Sequence, residues 1–460
     1  MTKTRNKMGR SGRALMMIAA LAMFAASVLP TQVLAQKRKI IRDAEVEALL
    51  RDYTLPLFRA AGIPANAGEV VIVSSSRINA FVSSGQRVYV HTGLITEADT
   101  PNEVIGVLAH EIGHIAGGHH ARSRDEIARA SIGSVVSMIA GAAAIAGGVA
   151  AGNADVSKAA VGLMRSSQGA FQRNFLRYAR EQESAADQAA IRFLDATGQS
   201  AKGMLRLFER LSDQMLVSVR NIDPYVQSHP LPRERINFLA RTVSEGRYFN
   251  TPDPPELLLR HQLAQAKILA YLGRPSTVTR RYGAGDTGLP ATYARAISYF
   301  RSGDIERSIV ELDRLIAAMP GYPYFHEIKG QALLETGRAR QAIPILQHAI
   351  KLAPNSPLIR ILLAQAMIST GDDAYIEPAI TQLLRAMQHE HRSSAGYRFL
   401  AIAYGRKGDT GRAELASANE YAVRGDISQA RVFAKRAKEK LPRGSTEWQI
   451  ADDIENIKRK

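Results

Sequence analysis

The length, composition and charge of the chain exclude several protein classes at once. Its 460 residues exceed what one hydrophobic core usually organises, so two or three domains are expected. With 46% hydrophobic and 22% charged residues, the composition is that of a globular protein and excludes a collagen-like or wholly disordered chain. Cysteine is absent, which excludes disulfides, thiolate metal ligands and thiol nucleophiles. Any bound metal must be held by His, Asp or Glu.

The first 35 residues have the layout of a secretory signal peptide. Five basic and no acidic residues lie in this segment, and an almost entirely apolar run from Ala14 to Leu29 precedes the cleavage-site pattern Val33-Leu34-Ala35. A membrane anchor is the alternative, but the run is about 16 residues long and a spanning helix needs about 20. We therefore expect a cleaved signal peptide and a periplasmic protein. Export, with no base-stacking motif in the chain, excludes nucleic acid as a partner.

Residues 40–114 are predicted to form an amphipathic helix, two strands and a second helix. The first helix is expected at 40–60, and β-branched runs predict strands at 70–73 and 86–91 with a hairpin-like separation. Thr100-Pro101-Asn102-Glu103 then predicts a helix start, with a capping box and a proline at the first position. Strand 86–91 is expected to lie beside this helix, and two readings of its edge stay equally open: a free edge that accepts an extended substrate, and an edge covered by a loop.

The second half of the chain carries an internal repeat after the linker-like segment 250–255. Glycines recur with a period of 34, and prolines follow them at an offset of 17. This is the pattern of helix–turn–helix tetratricopeptide repeats, which stack into a solenoid with a concave face. An ordinary helical bundle would not explain why glycine and proline share one period. The period is carried by Gly303, Gly337, Gly371, Pro320 and Pro354.

His110-Glu111-x-x-His114 is the strongest chemical signal in the sequence. Residues at i and i+4 share one helix face, so both imidazoles can reach one Zn²⁺ at about 2.0–2.1 Å. Glu111 is rotated away from that face and suits the role of general base toward an attacking water. Two core histidines without partners would be costly to bury, which disfavours a purely structural role.

A catalytic zinc needs a third protein ligand, and the spacing offers two candidates. His120 completes the metzincin spacing, with Gly117 turning the chain; alternatively Gly117 only ends the helix and leaves His119 and His120 in solvent. Glu183 is the second candidate, preferred only weakly over Glu181 on spacing, and Asp187, one turn later, would then accept the N–H of a ligating histidine. On spacing alone both candidates stay open.

Several segments together resemble the zinc metallopeptidase family that includes the HtpX heat-shock proteases, the CAAX prenyl proteases and the mitochondrial Oma-type protease. The resemblance covers the chain after residue 35 and departs from the family only at Ala179, where relatives often have serine. It implies a mainly α fold, a gluzincin-like zinc metallopeptidase domain with a small β-sheet followed by an all-α tetratricopeptide-repeat solenoid. The segments are His110-Glu111-x-x-His114, Asn79-Ala80-Phe81 with Gly85 and Thr92-Gly93-Leu94, and Arg180-x-x-Glu183-x-x-Ala186-Asp187.

The resemblance also implies roles for individual residues. It makes Glu183 the third ligand of one Zn²⁺ per chain, with Asp187 supporting a ligating histidine, and it disfavours His120. His229-Pro230-Leu231-Pro232-x-x-Arg235 is similar to a further family feature; on the residues alone it is a proline-braced loop that opens a helix. In the family reading His229 faces the zinc, either as an oxyanion donor or as a fourth ligand that holds the enzyme shut, with Arg235 in support.

The expected organisation is a signal peptide at 1–35, a zinc metallopeptidase domain at 36–250, a linker and helical connector at 251–290 and a repeat domain at 291–460. The implied function is an exported zinc metalloendopeptidase that degrades or processes proteins, in particular misassembled outer-membrane proteins. The repeats would bind substrate or the assembly machinery. The alternative is a chaperone or scaffold module with a largely self-inhibited peptidase site.

The uncharged stretch from Ser131 to Ala154 suggests a third reading, a membrane-embedded protease, because it is long enough to cross a bilayer. A single span there would place His114 and Glu183 on opposite sides of the membrane. We therefore expect a helical hairpin or loop packed by the active cleft, in contact with a membrane surface at most. The basic excess after Pro255, 30 basic against 21 acidic side chains, also suits a membrane surface or acidic partners.

Overall fold

The computed structural model describes residues 39–457 except 65–66, 84–85, 120, 124, 126–175, 218–223 and 284. The predicted signal peptide, His120 and the uncharged stretch 131–154 lie outside the described residues. No helix in the described part combines the length and the apolar character that a bilayer span requires.

A four-stranded sheet with the order β1-β2-β4-β3 supports one side of the first half. β2 and β4 pair in parallel, and β3 pairs with β4 in antiparallel register, so that β4 is an interior strand. The free-edge reading of strand 86–91 is therefore wrong, because both sides of that strand are hydrogen-bonded; β3 is the outer strand on this side. The strands are β1 (Ile40–Ile41), β2 (Glu69–Val73), β3 (Ala80–Ser83) and β4 (Arg87–His91).

The helices of the first half pack with the sheet around one hydrophobic core, in which Leu50, Leu108 and Phe208 are fully buried. The first helix begins at a side-chain cap, since Asp43 accepts a hydrogen bond of 2.9 Å from the backbone N–H of Val46. The helices are α1 (Ala44–Ala60), α2 (Thr92–Glu97), α3 (Pro101–Ala116), α4 (176–196), α5 (Lys202–Val217), α6 (Pro224–Ser228) and α7 (Arg233–Ser244).

Helix α3 runs through the middle of this core, and every residue from Pro101 to His114 is buried. Its predicted start at Thr100 and Pro101 is confirmed, but the predicted capping box is not formed. The carboxylate of Glu103 instead accepts from the backbone N–H of Asp99, one residue further back, and from the Arg210 guanidinium at 3.0 Å. A buried helix of this kind holds the side chains it carries in fixed positions.

The second half is a succession of antiparallel helix pairs, as the 34-residue period predicted. The repeating glycines lie at the turns in the left-handed region, for example Gly303 at φ 82° and Gly337 at φ 78°, which glycine adopts without strain. The helices are α8 (Pro255–Leu272), α9 (Pro275–Arg281), α10 (Leu289–Arg301), α11 (Ile305–Ala318), α12 (Pro323–Glu335), α13 (Ala339–Leu352), α14 (Pro357–Ser369), α15 (Ile376–Met387), α16 (Ser394–Lys407), α17 (Thr410–Val423), α18 (Ile427–Lys440) and α19 (Thr446–Glu455).

Helix α8 is shared between the two halves. Its Ala264 and Ile268 pack into the core of the first half. Its Leu263 and Ala266 pack into the next core, together with Tyr293 of α10. The segment 251–290, expected as linker and connector, thus contains a helix that is buried on both sides.

Candidate metal centre

The site is built where helix α4 crosses helix α3. The crossing is close because residue 113 has no side chain: a methyl group on Gly113 would lie 2.8 Å from the carbonyl oxygen of Ala186. Gly113 lies one residue before His114, and Ala186 one residue before Asp187. The close approach therefore brings the acidic side chains of α4 against the two histidines of α3.

Four side chains place their donor atoms within 4.8 Å of one another: His110, His114, Glu183 and His229. The Nε2 atoms of His110 and His114 are 3.0 Å apart, and they lie 3.4 and 3.3 Å from the two Glu183 carboxylate oxygens. His229 Nδ1 lies 3.1 Å from both oxygens of Glu183 and 3.4 Å from His110 Nε2. The structure thus brings together the histidine pair, the distant glutamate and the loop histidine.

The donor set and its spacing fit a zinc ion. A tetrahedral site with bonds of about 2.0–2.1 Å separates its donor atoms by roughly 3.3–3.4 Å. The separations just given span 3.0 to 3.4 Å. Imidazole nitrogens and one carboxylate are also the ligands that zinc takes when thiolates are absent.

Asp187 and Arg235 orient the side chains of the cluster through hydrogen bonds. His110 Nδ1 donates to Asp187 Oδ1 at 2.8 Å, which leaves His110 Nε2 directed at the other donors. Arg235 donates to both oxygens of Asp187, at 2.6 and 2.8 Å, and to Glu183 Oε2 at 2.8 Å. A planar guanidinium with several fixed donors suits this bridging position better than an ammonium would.

The surroundings set the charge states of the site in the absence of metal. Burial opposes ionisation of Glu183, but hydrogen bonds from the three histidines outweigh it and hold the pKa of that carboxyl well below its ordinary value. Burial lowers the pKa of His114 to about 3, so its imidazole is neutral. Burial also opposes ionisation of His110, but hydrogen bonds to Asp187 and Glu183 outweigh it and raise the pKa of His110 to about 9, so this imidazole must give up a proton when a metal binds. A neutral imidazole and an ionised carboxylate are the forms that bind metal.

Glu111 lies beside the cluster, not in it. It is 1% exposed, and its Oε1 is 3.4 Å from His229 Nε2. Burial raises the pKa of its carboxyl, opposed by the nearby histidines and by a hydrogen bond from the backbone of Val82 in β3. Glu111 therefore lies between the donor cluster and the outer strand of the sheet.

Two neighbours of the site were missed in the sequence. His119 is not left in solvent: it is 6% exposed, and its Nδ1 lies 2.9 Å from His114 Nδ1. Tyr225 is buried and stacks on His229, with ring centroids 4.7 Å apart. The paired glycines before His119 were the available signal, whereas nothing in the sequence marked Tyr225.

Comparison with known proteins agrees with this geometry. Residues 41–243 match Peptidase family M48, and residues 333–401 match a tetratricopeptide repeat. The chain is 25% identical over 387 residues to the beta-barrel assembly-enhancing protease of Yersinia pestis, covering 82% of this chain and 76% of the relative. The protein of that name from Escherichia coli (strain K12) is 25% identical over 385 residues, covering 81% and 75%. Metalloprotease YcaL of the same strain is 27% identical over 187 residues, 40% of this chain and 65% of the relative. The predicted family resemblance and fold class are confirmed.

Proposed function

The chain contains a Peptidase family M48 domain followed by tetratricopeptide repeats, and on that basis we propose that it is an exported zinc endopeptidase of the periplasm. The observation that carries the proposal is the group of four donor atoms within 4.8 Å of one another, with a buried carboxylate beside it. His110, His114 and Glu183 would hold one Zn²⁺ per chain. Asp187 and Arg235 orient these ligands through the hydrogen bonds described above.

The protein's own part in peptide hydrolysis is proton transfer and positioning. When bound, zinc polarises the scissile carbonyl and lowers the pKa of a water. Glu111 takes a proton from the attacking water on its carboxylate and then delivers it to the leaving amine. The burial of Glu111 keeps bulk water from competing for that proton.

His229 occupies the space that a substrate carbonyl needs. Its Nδ1 lies among the donor atoms and its Nε2 is 3.4 Å from Glu111 Oε1, so that one ring separates the general base from the metal ligands. This arrangement supports a resting state in which His229 is the fourth ligand and leaves for turnover. It also favours the second candidate function, a chaperone or scaffold whose peptidase site stays mostly shut.

Substrate is proposed to bind along β3 (Ala80–Ser83), which replaces the free-edge reading of strand 86–91. Among the described residues no strand pairs with the outer side of β3. The backbone of Val82 in this strand contacts Glu111, so a peptide paired with β3 would pass the general base. Main-chain pairing of this kind needs little sequence preference and suits unfolded protein.

The partners follow from the relatives and the repeats. Two similar proteins are named beta-barrel assembly-enhancing protease. We infer that this chain acts on unfolded or misassembled outer-membrane proteins, with its repeats binding substrate or the assembly machinery. The basic excess after Pro255 suits contact with a membrane surface.

The test measures zinc content and proteolytic cleavage in the same preparations of the exported chain. Each variant is made both in the wild-type background and in a His229→Ala background, which opens the site. Glu111→Gln should retain one zinc per chain and lose cleavage of unfolded casein, whereas Glu183→Gln should lose zinc. Cleavage by Glu111→Gln would refute the role of Glu111 as general base, and a wild type without zinc would refute the zinc enzyme. Full complementation of a deletion strain by Glu111→Gln would instead favour the scaffold.

A further inference from the structure

The second zinc-binding histidine has a partner that no motif assigns. His114 Nε2 faces the donor cluster, 3.0 Å from His110 Nε2 and 3.3 Å from Glu183 Oε1. Its other ring nitrogen, Nδ1, lies 2.9 Å from Nδ1 of His119. The two rings meet edge to face, with centroids 5.0 Å apart and planes at 80°. His119 is therefore placed to act on His114 from the side away from the metal position.

The end of helix α3 is shaped to produce this contact. Gly118 has φ 63°, in the left-handed region, and turns the chain back on itself. Gly117 has an ordinary helical backbone at φ −72°, but a methyl group there would lie 2.2 Å from His119 Nε2. Gly118 thus supplies the turn and Gly117 the space for the ring. The need for space at Gly117 would not exist if His119 pointed into solvent.

The proton positions follow from the geometry. A neutral imidazole carries one N–H and one lone pair. For His114 Nε2 to offer its lone pair to a metal, the proton must be on Nδ1. That Nδ1–H then donates to His119 Nδ1, which accepts and must carry its own proton on Nε2.

We propose that His119 is a positioning residue for the zinc ligand His114, fixing its tautomer and its ring orientation. The proposal rests on the zinc site of the proposed function. His110 has the corresponding support from Asp187, a carboxylate at 2.8 Å. Such partners of ligating histidines typically affect metal affinity by about 10- to 100-fold. The unusual feature here is the kind of partner. An imidazole, given its place by a pair of glycines, orients His114, whereas a carboxylate orients His110.

The test is zinc affinity, measured by competition with a chromogenic chelator on the full exported chain. His119→Leu should weaken affinity about 10- to 100-fold, and His119→Gln should recover part of the loss because its amide oxygen can accept from His114. Gly117→Ala keeps all the histidines and should weaken affinity in the same direction by displacing the His119 ring. His391→Leu, at an exposed histidine of the second half, is the matched control and should change nothing.

Thermal unfolding of the metal-free proteins separates positioning from packing. We expect His119→Leu and wild type to unfold within a few degrees of each other without zinc and to diverge with zinc. Affinity within twofold of wild type in both His119→Leu and Gly117→Ala would overturn the proposal. So would a loss in His119→Leu that His119→Gln does not reduce. If wild type itself bound no zinc, the proposed function would fail together with this inference. If wild type bound zinc and the His119 variants bound it equally well, only the inference would fail.

Discussion

A buried lysine joins the two halves of the molecule, and its replacement gives a quantitative test of that junction. Lys267 of α8 is 2% exposed, and its Nζ lies 2.9 Å from Asp43, 3.3 Å from Glu45 and 3.4 Å from Glu327. Asp43 and Glu45 belong to the start of α1, and Glu327 to α12. Glu45 also accepts hydrogen bonds from two buried tyrosine hydroxyls, at 2.7 and 2.8 Å.

Lys267→Met keeps the length of the side chain and removes its charge. Breaking a buried ion pair on one side costs about 3–5 kcal/mol. The cost has an upper limit, because a carboxylate left without its partner takes up a proton. For a carboxyl with an unfolded pKa of about 4.3, that protonation costs about 1.4 kcal/mol per pH unit, or about 3.7 kcal/mol at pH 7 and about 1.6 at pH 5.5.

The loss of unfolding free energy in Lys267→Met should depend on pH, and the carboxyl pKa values give the direction of that dependence. Burial already raises the pKa of Glu327 to about 7 in the native protein, opposed by Lys267, and burial likewise raises the pKa of Glu45. Without the lysine these pKa values rise further. A raised carboxyl pKa destabilises the folded state as pH rises above the unfolded value. A carboxyl whose native pKa is already about 7 carries most of this cost in wild type, so Glu327 adds little to the loss. We therefore expect Lys267→Met to lose up to about 3–4 kcal/mol of unfolding free energy at pH 7, the limit set by one ionised carboxylate, and less at pH 5.5.

Urea unfolding followed by circular dichroism at both pH values measures the loss. Lys329→Met on α12 is the matched control, since Lys329 pairs with Asp313, whose side chain is 53% exposed. A pair of this kind is worth about 0–1 kcal/mol, with little change between the two pH values. A loss below about 1 kcal/mol for Lys267→Met, or an equal loss at pH 5.5 and 7, would show that the cluster does not hold the halves together.

Two further predictions concern the site. His229→Ala should raise the basal cleavage of unfolded protein with zinc still at one per chain, measured as initial rates; a lower kcat would assign His229 to oxyanion stabilisation instead. Gly113→Ala should weaken zinc binding about tenfold, because the added methyl would lie 2.8 Å from the Ala186 carbonyl oxygen and push α4 away; overpacking should also cost about 1–3 kcal/mol. Gly405→Ala, with nothing within 4 Å, should instead gain up to about 1 kcal/mol, and equal behaviour of the two glycines would contradict the crossing argument.

Local spacing rules account for the parts of the molecule that the sequence predicted well. His110 and His114 share a face in any α-helix, and the 34-residue period needs only short turns that glycine can make. The choice of Glu183 came from family resemblance, since helix periodicity does not say which face of α4 meets α3. In the structure that choice is made by contact, because Gly113 allows the approach and Ala186 is small enough to accept it.

The order of the strands in the sheet could not be predicted from local sequence patterns either. The separation between strands 70–73 and 86–91 suggested a hairpin, but these two strands pair in parallel. The hairpin is formed by β3 and β4, where Gln86 has φ 59°. Parallel pairing depends on contacts between distant segments, which a reading of neighbouring residues does not include.

The four donor side chains are held by different parts of the fold, and His229 is the least constrained of them. The two α3 histidines and Glu183 sit on long helices, and α3 is buried along its length, so their movement would disturb the core. His229 follows the short helix Pro224–Ser228 and is held by stacking on Tyr225 and by its contact with Glu183. The adjoining carbonyl of Pro230 is fixed separately, by a 2.9 Å hydrogen bond from Arg235. In the proposed resting state, His229 is therefore the donor whose departure disturbs the core least, so that His110, His114 and Glu183 would keep their positions and the metal.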